Sequence, residues 1–229
     1  MLTLSSIVYD VNKFTLSANF HLPKRSRVAI IGPSGAGKST LLSIISGFTK
    51  PCSGRVMLDN EDITRVSPGQ RKVTSLFQDG NLFPHLTVEQ NIALGIRPDL
   101  KLNTSQTLLL EAAIKRVGLS DVSKRKPNTL SGGQQSRISL ARALVRDCVL
   151  LLLDEPFSAL GPALKSEMLE LVKEISIEKD LVLMFVTHDP EDAKQICDLS
   201  IVVAEGNVYP PNSTTQLFLN PPEVLKNYL

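Results

Sequence analysis

The sequence lacks the features that mark membrane-spanning and nucleic-acid-binding chains. Its longest apolar runs, at 149–153 and 181–186, are far shorter than the roughly 20 residues of a membrane span. The formal net charge is only +2 and there is no basic tail, so we expect no nucleic-acid partner. The first ten residues, MLTLSSIVYD, lack the basic start and apolar core of a secretory signal. We therefore expect a cytosolic chain.

Cysteine is scarce and unpaired in the sequence. Cys52, Cys148 and Cys197 are isolated and odd in number, with no C-x-x-C pair. This pattern predicts reduced, mostly buried thiols that serve packing rather than metal binding. The hydrophobic content of 42% and charged content of 21% are those of an ordinary globular protein. The length of 229 residues allows one large domain or two small ones.

A glycine-rich loop between an apolar strand at 27–31 and an apolar helix is the most informative stretch. It reads Gly32, Pro33, Ser34, Gly35, Ala36, Gly37, Lys38, Ser39 and Thr40. Glycines let backbone N–H groups turn inward around a phosphate, and the following helix points its positive dipole end at the same anion. Lys38 can reach the terminal phosphates and Ser39 can ligate Mg²⁺. The loop therefore predicts ATP or GTP binding.

Apolar and polar residues alternate at 2–9 and 14–22, which predicts an antiparallel pair of strands. Tyr9, at the end of the first strand, has two interpretations. It can stack on an adenine base, or it can pack on the sheet, and the sequence does not separate the two.

The pattern of predicted elements changes in the middle of the chain, which predicts two structural parts. The interval 79–146 is mostly loop and helix, and we expect it to form a helical subdomain inserted into an α/β core of 1–78 and 147–229. Its most periodic helix, at 104–117, has a predicted apolar face that comprises Leu108, Leu109, Ala112, Ala113 and Val117.

The α/β pattern returns after this interval. It comprises a helix at 133–145, a strand at 149–153, a helix at 162–177, a strand at 181–186, a helical turn at 191–196 and a hairpin of 199–204 with 208–209. Continuous apolar strands that alternate with amphipathic helices predict a parallel sheet covered on both faces.

Two further stretches complete a nucleotide site. Asp154 and Glu155 end the strand at 149–153, where one carboxylate can hold Mg²⁺ and the next can polarise an attacking water. A second glycine-rich turn before a helix, with the residues Ser131, Gly132, Gly133 and Gln134, is a second potential anion site.

With these motifs in place, nearly the whole chain resembles the ATP-binding subunits of ABC transporters. The Walker A match is 32–40, the signature match is 130–134 and the Walker B match is 150–155. Gln78 matches the glutamine of the family's Q-loop, and His188 matches its switch histidine. The resemblance implies a RecA-like P-loop NTPase core with a parallel sheet, antiparallel N-terminal strands and an inserted helical subdomain.

The resemblance also implies roles and partners. In this family two ATPase subunits form a head-to-tail homodimer, with ATP between the Walker A loop of one subunit and the signature loop of the other. Ser39, Gln78 and Asp154 would then organise Mg²⁺ and water, Glu155 would be the general base and His188 would contact the γ-phosphate. The signature residues Ser131 to Gln134 would complete the partner's site. The dimer would drive integral membrane permease subunits from the cytoplasmic face of the inner membrane.

One position departs from the family. The family usually has aspartate after Ser-Ala-Leu, and this chain has Gly161. We expect ATP binding to be intact and the coupling between the two sites, or turnover, to be weakened.

Within the family, the stretches at 77–88, 100–103 and 150–160 are most similar to the ATPases of thiamine and thiamine pyrophosphate importers. Such importers take their substrate from a periplasmic binding protein, an indirect partner. Importers of iron, sulfate or polyamines share several of these stretches and remain an alternative. Less favoured are a soluble ABC ATPase acting on DNA or the ribosome, and a regulator that does not hydrolyse ATP. Leu82, Phe83 and Leu86 are expected either to meet the permease or to pack within the helical subdomain.

Overall fold

The computed structural model describes residues 1–77 and 81–226. Two compact units make up the chain. The first comprises Met1–Val73, Val149–Glu155 and Leu169–Leu229, and the second comprises Thr74–Cys148 and Pro156–Met168. The domain boundaries expected from the sequence, at 78/79 and 146/147, stay a prediction.

The strands, in chain order, are β1 (Leu2–Val11), β2 (Phe14–Leu22), β3 (Arg27–Ile31), β4 (Ser53–Leu58), β5 (Glu61–Asp62), β6 (Val73–Leu76), β7 (Leu150–Asp154), β8 (Val182–Val186), β9 (Leu199–Ala204), β10 (Asn207–Val208) and β11 (Asn212–Ser213). In the first unit their order across the sheet is β5-β4-β1-β2-β10-β9-β3-β8-β7, with β11 beside β9. β3 pairs in parallel with both β8 and β9, and β7 pairs in parallel with β8. The parallel sheet predicted from the sequence is confirmed.

The predicted N-terminal hairpin is also confirmed. β1 pairs antiparallel with β2 and continues to Val11, two residues beyond the predicted end. Asn12 and Lys13 form the turn with positive φ angles of 51° and 70°. Two residues with positive φ match the right-handed twist of the flanking strands, which is why so short a turn closes this hairpin.

The helices are α1 (Lys38–Ser46), α2 (Val88–Ala93), α3 (Thr104–Arg116), α4 (Gly132–Leu144), α5 (Pro162–Glu178), α6 (Pro190–Ile196), α7 (Thr214–Leu219) and α8 (Glu223–Lys226). Predicted and observed ends differ by at most one residue for α4, α5 and α6. Among the described residues, no helix combines the length and the apolar character needed to cross a membrane.

The core of the first unit lies between α1 and the strands. Leu41, Ile44 and Ile45 of α1 are fully buried, as are Val28 and Ile30 of β3. They belong to one apolar cluster that also includes buried residues of β1, β2, β4, β7, β8 and β9. Burial of this apolar surface holds α1, and with it the loop that precedes α1, against the sheet.

In the second unit, helices α2, α3 and α4 each begin at a capping box. The N-cap side chains of Thr87, Asn103 and Ser131 each accept a hydrogen bond from the backbone N–H three residues on. A glutamine side chain at that position accepts one in return from the N-cap N–H. Each box satisfies two N–H groups that a helix start leaves unpaired, and this sets where the helices begin.

The predicted apolar face of α3 is wrong in part. Leu108 and Leu109 are 61% and 44% exposed, whereas Leu110, Ile114 and Val117 are buried. The buried residues are four and three apart, so they lie on one side of the helix. Three consecutive leucines allow two different faces, and packing within the unit selects the one that contains Leu110.

The expectation that the thiols are mostly buried also needs correction. None of the three cysteines, all within the described part of the chain, forms a disulfide, but Cys52 is exposed, Cys148 is half-buried and Cys197 is buried. Cys52 follows the proline of the turn before β4, and its sulfur faces the backbone of Asp10 at 3.4 Å. Position in a surface turn therefore outweighs the usual tendency of cysteine to be buried.

Candidate nucleotide-binding site

The site residues predicted for the first unit follow the carboxyl ends of three neighbouring parallel strands. Asp154 of β7 pairs with Val186 of β8, and Val186 pairs with Ile30 of β3. These residues are level with one another across the sheet, so the segments that follow them emerge at one edge. Ligands of open α/β sheets bind at this edge.

Close packing explains two glycines of the loop after β3. A Cβ at Gly32 would lie 1.8 Å from the carbonyl oxygen of Val203. Gly37, the N-cap of α1, has a φ of 109°, and a Cβ there would lie 2.5 Å from Cδ1 of Leu16. The sheet and the loop approach each other more closely than any side chain would allow. The loop therefore passes directly over the strand ends.

The side chain of Lys38 folds back over the loop. Its ammonium group donates hydrogen bonds to the carbonyl oxygens of Gly32, at 2.7 Å, and Pro33, at 2.9 Å. Partial burial lowers the pKa of Lys38, and the nearby carboxylates of Glu155 and Asp154 act in the opposite direction. Lys38 thus lies at the mouth of the loop, next to two carboxylates.

Asp154 lies beside Ser39, whose hydroxyl donates a hydrogen bond to its carboxylate. Burial raises the pKa of Asp154, and the Glu155 carboxylate raises it further, whereas the Ser39 hydrogen bond and the Lys38 charge lower it. A hydroxyl and a partly desolvated carboxylate that touch each other are oxygen donors of the kind that Mg²⁺ prefers. This pair fits one side of a magnesium site.

Glu155 has an unusual backbone conformation. Its φ is 46°, which is left-handed, and its N–H donates to the carbonyl of Val186 at 3.2 Å. Oε2 of Glu155 lies 3.4 Å from Nδ1 of His188. A non-glycine residue in this region is strained by about 1–3 kcal/mol, a strain that concentrates at functional sites. The bend directs the carboxylate of Glu155 towards the loop of Lys38.

His188 lies in a turn that hydrogen bonds hold in place. Thr187 Oγ1 donates to Asp192 Oδ2 at 3.0 Å and accepts a bond from the N–H of Asp189. Asp189 in turn caps the start of α6. The turn is therefore rigid around His188, whose side chain is 58% exposed and accessible to a ligand.

A cavity of about 300 Å³ lies over the loop. Its lining comprises Phe14, Ser34, Gly35, Gly37, Lys38, Ser39, Thr40 and Glu155. Phe14, at the start of β2, is an aromatic residue of this cavity that the sequence analysis did not select. No motif marks it, because only strand pairing brings the start of β2 to Gly37.

Tyr9 is partly buried and packs against the apolar cluster of the first unit. Stacking of Tyr9 on an adenine base stays a prediction. Phe14 is an additional aromatic candidate near that base, because it lines the cavity directly.

The second glycine-rich loop starts α4 in the second unit. Ser131 Oγ accepts from the N–H of Gln134 at 3.3 Å, and the side chain of Gln134 accepts from the N–H of Ser131 at 3.1 Å. A Cβ at Gly132 would meet nothing within 4 Å, whereas one at Gly133 would lie 2.2 Å from Cδ2 of Leu164. The loop is preformed, and its open side is at Gly132. Gln78, the expected Q-loop residue, lies outside the described residues.

Comparisons with known proteins agree with this geometry. The ABC transporter family matches residues 16–158. The protein named "Thiamine import ATP-binding protein ThiQ" of Ruegeria sp. (strain TM1040) is 54% identical over all 229 residues, which cover 99% of that protein. The protein of the same name from Cereibacter sphaeroides is 49% identical with the same coverage of both chains.

Solved structures of the same fold are also similar. The structure of cbiO1 from Clostridium perfringens, described as part of the ABC transporter complex cbiONQ, has a TM-score of 0.85 and 30% identity, covering 99% of this chain and 93% of that one. The ATP-binding cassette MJ0796, a dimer bound to ADP and Pi, has a TM-score of 0.80 and 29% identity, covering 93% and 99%. The strand-end site, the P-loop fold and these matches lead to one conclusion: the chain belongs to the ABC transporter family.

Proposed function

We propose that this chain is the ATP-hydrolysing subunit of an importer for thiamine or thiamine pyrophosphate. The observation that carries the ATPase activity is the meeting of Lys38, Asp154, Glu155 and His188 at one edge of the sheet. The substrate class rests on full-length relatives whose name specifies thiamine import.

Nucleotide binding begins with Lys38. Its ammonium group exchanges the carbonyl oxygens of Gly32 and Pro33 for phosphate oxygens, which carry full charge and form stronger hydrogen bonds. The N–H groups at the start of α1 face the same anion. Because the loop is already shaped by packing at Gly32 and Gly37, little ordering free energy is lost on binding.

Mg²⁺ would be held by the hydroxyl of Ser39 and, directly or through water, by the carboxylate of Asp154. When bound, Mg²⁺ neutralises the negative charge that develops on the phosphates during transfer. It also compensates the buried carboxylate of Asp154. Gln78 is proposed to assist at this metal and at the attacking water.

Glu155 acts as the general base. Its carboxylate lines the cavity above the phosphate loop, where it can accept a proton from a water that attacks the γ-phosphate. His188, 3.4 Å from Glu155, orients this carboxylate and contacts the γ-phosphate. The strained backbone of Glu155 keeps the carboxylate at the position needed for attack.

A second copy of the chain completes the site. An exposed helix start is formed by the loop of Ser131, Gly132, Gly133 and Gln134. Nothing lies within 4 Å of the Cβ position of Gly132. Facing the phosphates of a partner subunit, the N–H groups of this helix start stabilise the negative charge of ATP. ATP thus joins two subunits head to tail, and hydrolysis separates them.

The surface around Phe83 is proposed to meet the permease. Phe83 is 45% exposed, and its loop is held by the fully buried Asn91. The Asn91 side chain accepts from the N–H of Phe83 and donates to the carbonyls of Phe83, Leu86 and Thr87. A cavity of about 460 Å³ in the same unit is lined partly by Leu82 and Pro84. A rigid loop that exposes an aromatic residue beside a cavity suits the docking of a cytoplasmic permease segment.

Reconstitution tests the whole proposal. The chain is combined in lipid vesicles with its permease, ATP is supplied on the side of the ATPase, and the binding protein on the other. We expect ATP-dependent uptake of labelled thiamine, competed by thiamine pyrophosphate and abolished by Glu155→Gln. Uptake of iron, sulfate or polyamine instead would overturn the substrate. Absence of any ATP turnover would overturn the ATPase assignment.

A further inference from the structure

One arginine of the second unit connects three helices just behind the glycine-rich loop of α4. Arg137 Nη2 lies 2.9 Å from both carboxylate oxygens of Glu167 on α5. Nη1 of the same side chain donates to the carbonyl oxygen of Val117 at 3.2 Å. Val117 is the C-cap of α3, directly after its last residue, and carbonyls at this end of a helix lack partners within the helix. Arg137 therefore ties α3, α4 and α5 together.

A second contact joins α4 and α5 one turn closer to the loop. A Cβ at Gly133 would lie 2.2 Å from Cδ2 of Leu164, so the two helices touch where α4 has no side chain. Gly133 and Arg137 are four residues apart on α4, and Leu164 and Glu167 are three apart on α5. These spacings place each pair on one face of its helix. The first two turns of α4 and of α5 are thus joined at two successive levels.

This double contact bears on the orientation of the glycine-rich loop. Ser131 and Gln134 shape the loop through their capping box, but that box is local and does not orient the loop relative to the rest of the unit. The helix α4 packs on α2 and α3, and Leu164 and Glu167 add contacts from α5 close to the loop. The start of α5 directly follows Gly161, so the loop of α4 and the segment before α5 are coupled mechanically.

We propose that Arg137 is a positioning residue. By binding Glu167, it orients the loop of Ser131 to Gln134 towards the nucleotide of a partner subunit. The inference rests on the proposed function, because it requires that this loop complete the partner's site. Arg137 itself does not contact the nucleotide. It acts by keeping the start of α4 at a fixed distance and angle from α5.

The surface position of the ion pair separates positioning from stability. The side chain of Glu167 is 58% exposed, whereas that of Arg137 is 22% exposed, and an ion pair whose carboxylate faces water contributes little to folding. Loss of Glu167 should therefore leave the fold intact. A displacement of a catalytic group by about 1 Å, in contrast, can lower a rate by ~10²-fold. Function should be far more sensitive to Glu167 than stability is.

The test compares Glu167→Ala with Asp99→Ala. The Arg97–Asp99 pair is an exposed ion pair of the same unit whose hydrogen bonds, among the described residues, involve no residue of α4 or α5, so Asp99→Ala is a matched control. We measure kcat, KM for ATP, ATP affinity of the monomer, and the melting temperature. In a Glu155→Gln background, in which hydrolysis is blocked, we also measure ATP-dependent dimerisation by light scattering.

For Glu167→Ala we expect kcat to fall about tenfold and dimerisation to weaken similarly, since both need an aligned loop. Monomer affinity for ATP and the melting temperature should match wild type, as should every property of Asp99→Ala. Arg137→Lys keeps the charge but has one nitrogen in place of the two that bind Glu167 and the carbonyl of Val117, so it should fall between wild type and Arg137→Ala.

Two results would overturn the inference. One is wild-type turnover and dimerisation in Glu167→Ala. The other is a loss of monomer ATP affinity and melting temperature in proportion to kcat, which would make the pair merely structural. Failure of the proposed function looks different. In that case the wild-type protein does not turn over ATP, and the Glu155→Gln variant does not dimerise in the presence of ATP.

Discussion

Nδ1 of His188 lies 3.4 Å from Oε2 of Glu155, although 32 residues separate them in the sequence and they follow different strands. The contact exists because β7 and β8 are adjacent and parallel and end at the same level. It joins the proposed base to the residue proposed to contact the γ-phosphate. The sheet therefore places the side chains of both residues beside the cavity above Lys38.

Glu155→Gln should lower ATP turnover about 10²- to 10⁴-fold, because an amide cannot accept the proton of the attacking water. ATP affinity should be retained, since Gln keeps the shape of Glu155. Turnover is measured by phosphate release and affinity by a fluorescent ATP analogue. Glu205→Gln is the control, because Glu205 also has a left-handed φ, of 49°, but lies in the β9–β10 turn. Equal, near-zero rates in all three proteins would argue for a regulator that does not hydrolyse ATP, and equal high rates would mean that Glu155 is not the base.

Asp154→Asn should make the nucleotide-free protein more stable at neutral pH. Burial raises the pKa of Asp154, so ionisation above its ordinary value of 3.8 disfavours the folded state. Asn removes this penalty and still accepts from Ser39. Each kcal/mol recovered would raise the melting temperature by about 2–4 °C, and the gain should vanish at pH values below 3.8, where the carboxyl is protonated in both states.

Asp62→Asn serves as the control, because its melting temperature should shift in the opposite direction. Hydrogen bonds from the side chain and the N–H of Thr64 lower the pKa of Asp62, so its ionised form favours folding at neutral pH. Its replacement should lower the melting temperature at pH 7, and the difference should shrink as the pH falls through the depressed pKa. Melting curves from pH 3 to 8 decide the matter. A shift in the same direction for both variants would contradict the assignment of Asp154.

Gly32→Ala should destabilise the first unit by roughly 3 kcal/mol, the upper end of overpacking costs. The new Cβ would meet the carbonyl oxygen of Val203, a backbone atom that cannot move aside. Gly35→Ala should cost only about 1 kcal/mol, because its surroundings are open and only the left-handed φ of 77° opposes alanine. Urea unfolding midpoints measure both. Similar losses would mean that packing at Gly32 does not shape the loop.

The sequence predicted the elements with local signals better than their arrangement. The loop of Lys38 and the strand that ends at Asp154 carry their own context, because glycines, apolar runs and carboxylates are neighbours in the chain. The place of Phe14 in the cavity depends on strand pairing, which no local pattern encodes. The face of α3 depended on packing too, since Leu108, Leu109 and Leu110 permit more than one interpretation. The contact of Arg137 with Glu167 required both helices to be placed.

Phe83→Asp should release the ATPase from its permease while ATP affinity is unchanged. Burying a phenylalanine at an interface is worth roughly 1.5–3 kcal/mol, so we expect a loss of at least about tenfold in permease affinity. Co-purification from detergent measures it. Leu109→Asp is a matched control, because Leu109 is 44% exposed in the same unit and Phe83 is 45% exposed. A parallel loss of ATP affinity would instead make Phe83 a residue that packs within the second unit.

Gly161→Asp should raise the coupling between the two ATP sites without harming the fold. A Cβ at Gly161 meets nothing within 4 Å, and Gly161 precedes Pro162, the first residue of α5. Aspartate there can cap α5, which adds only a few tenths of a kcal/mol relative to glycine. Because stability hardly changes, a change in ATP turnover or cooperativity of the assembled complex would report function alone. Gly69→Asp, at another open glycine, is the control. If Gly161→Asp and Gly69→Asp both show wild-type rate and cooperativity, Gly161 does not weaken coupling.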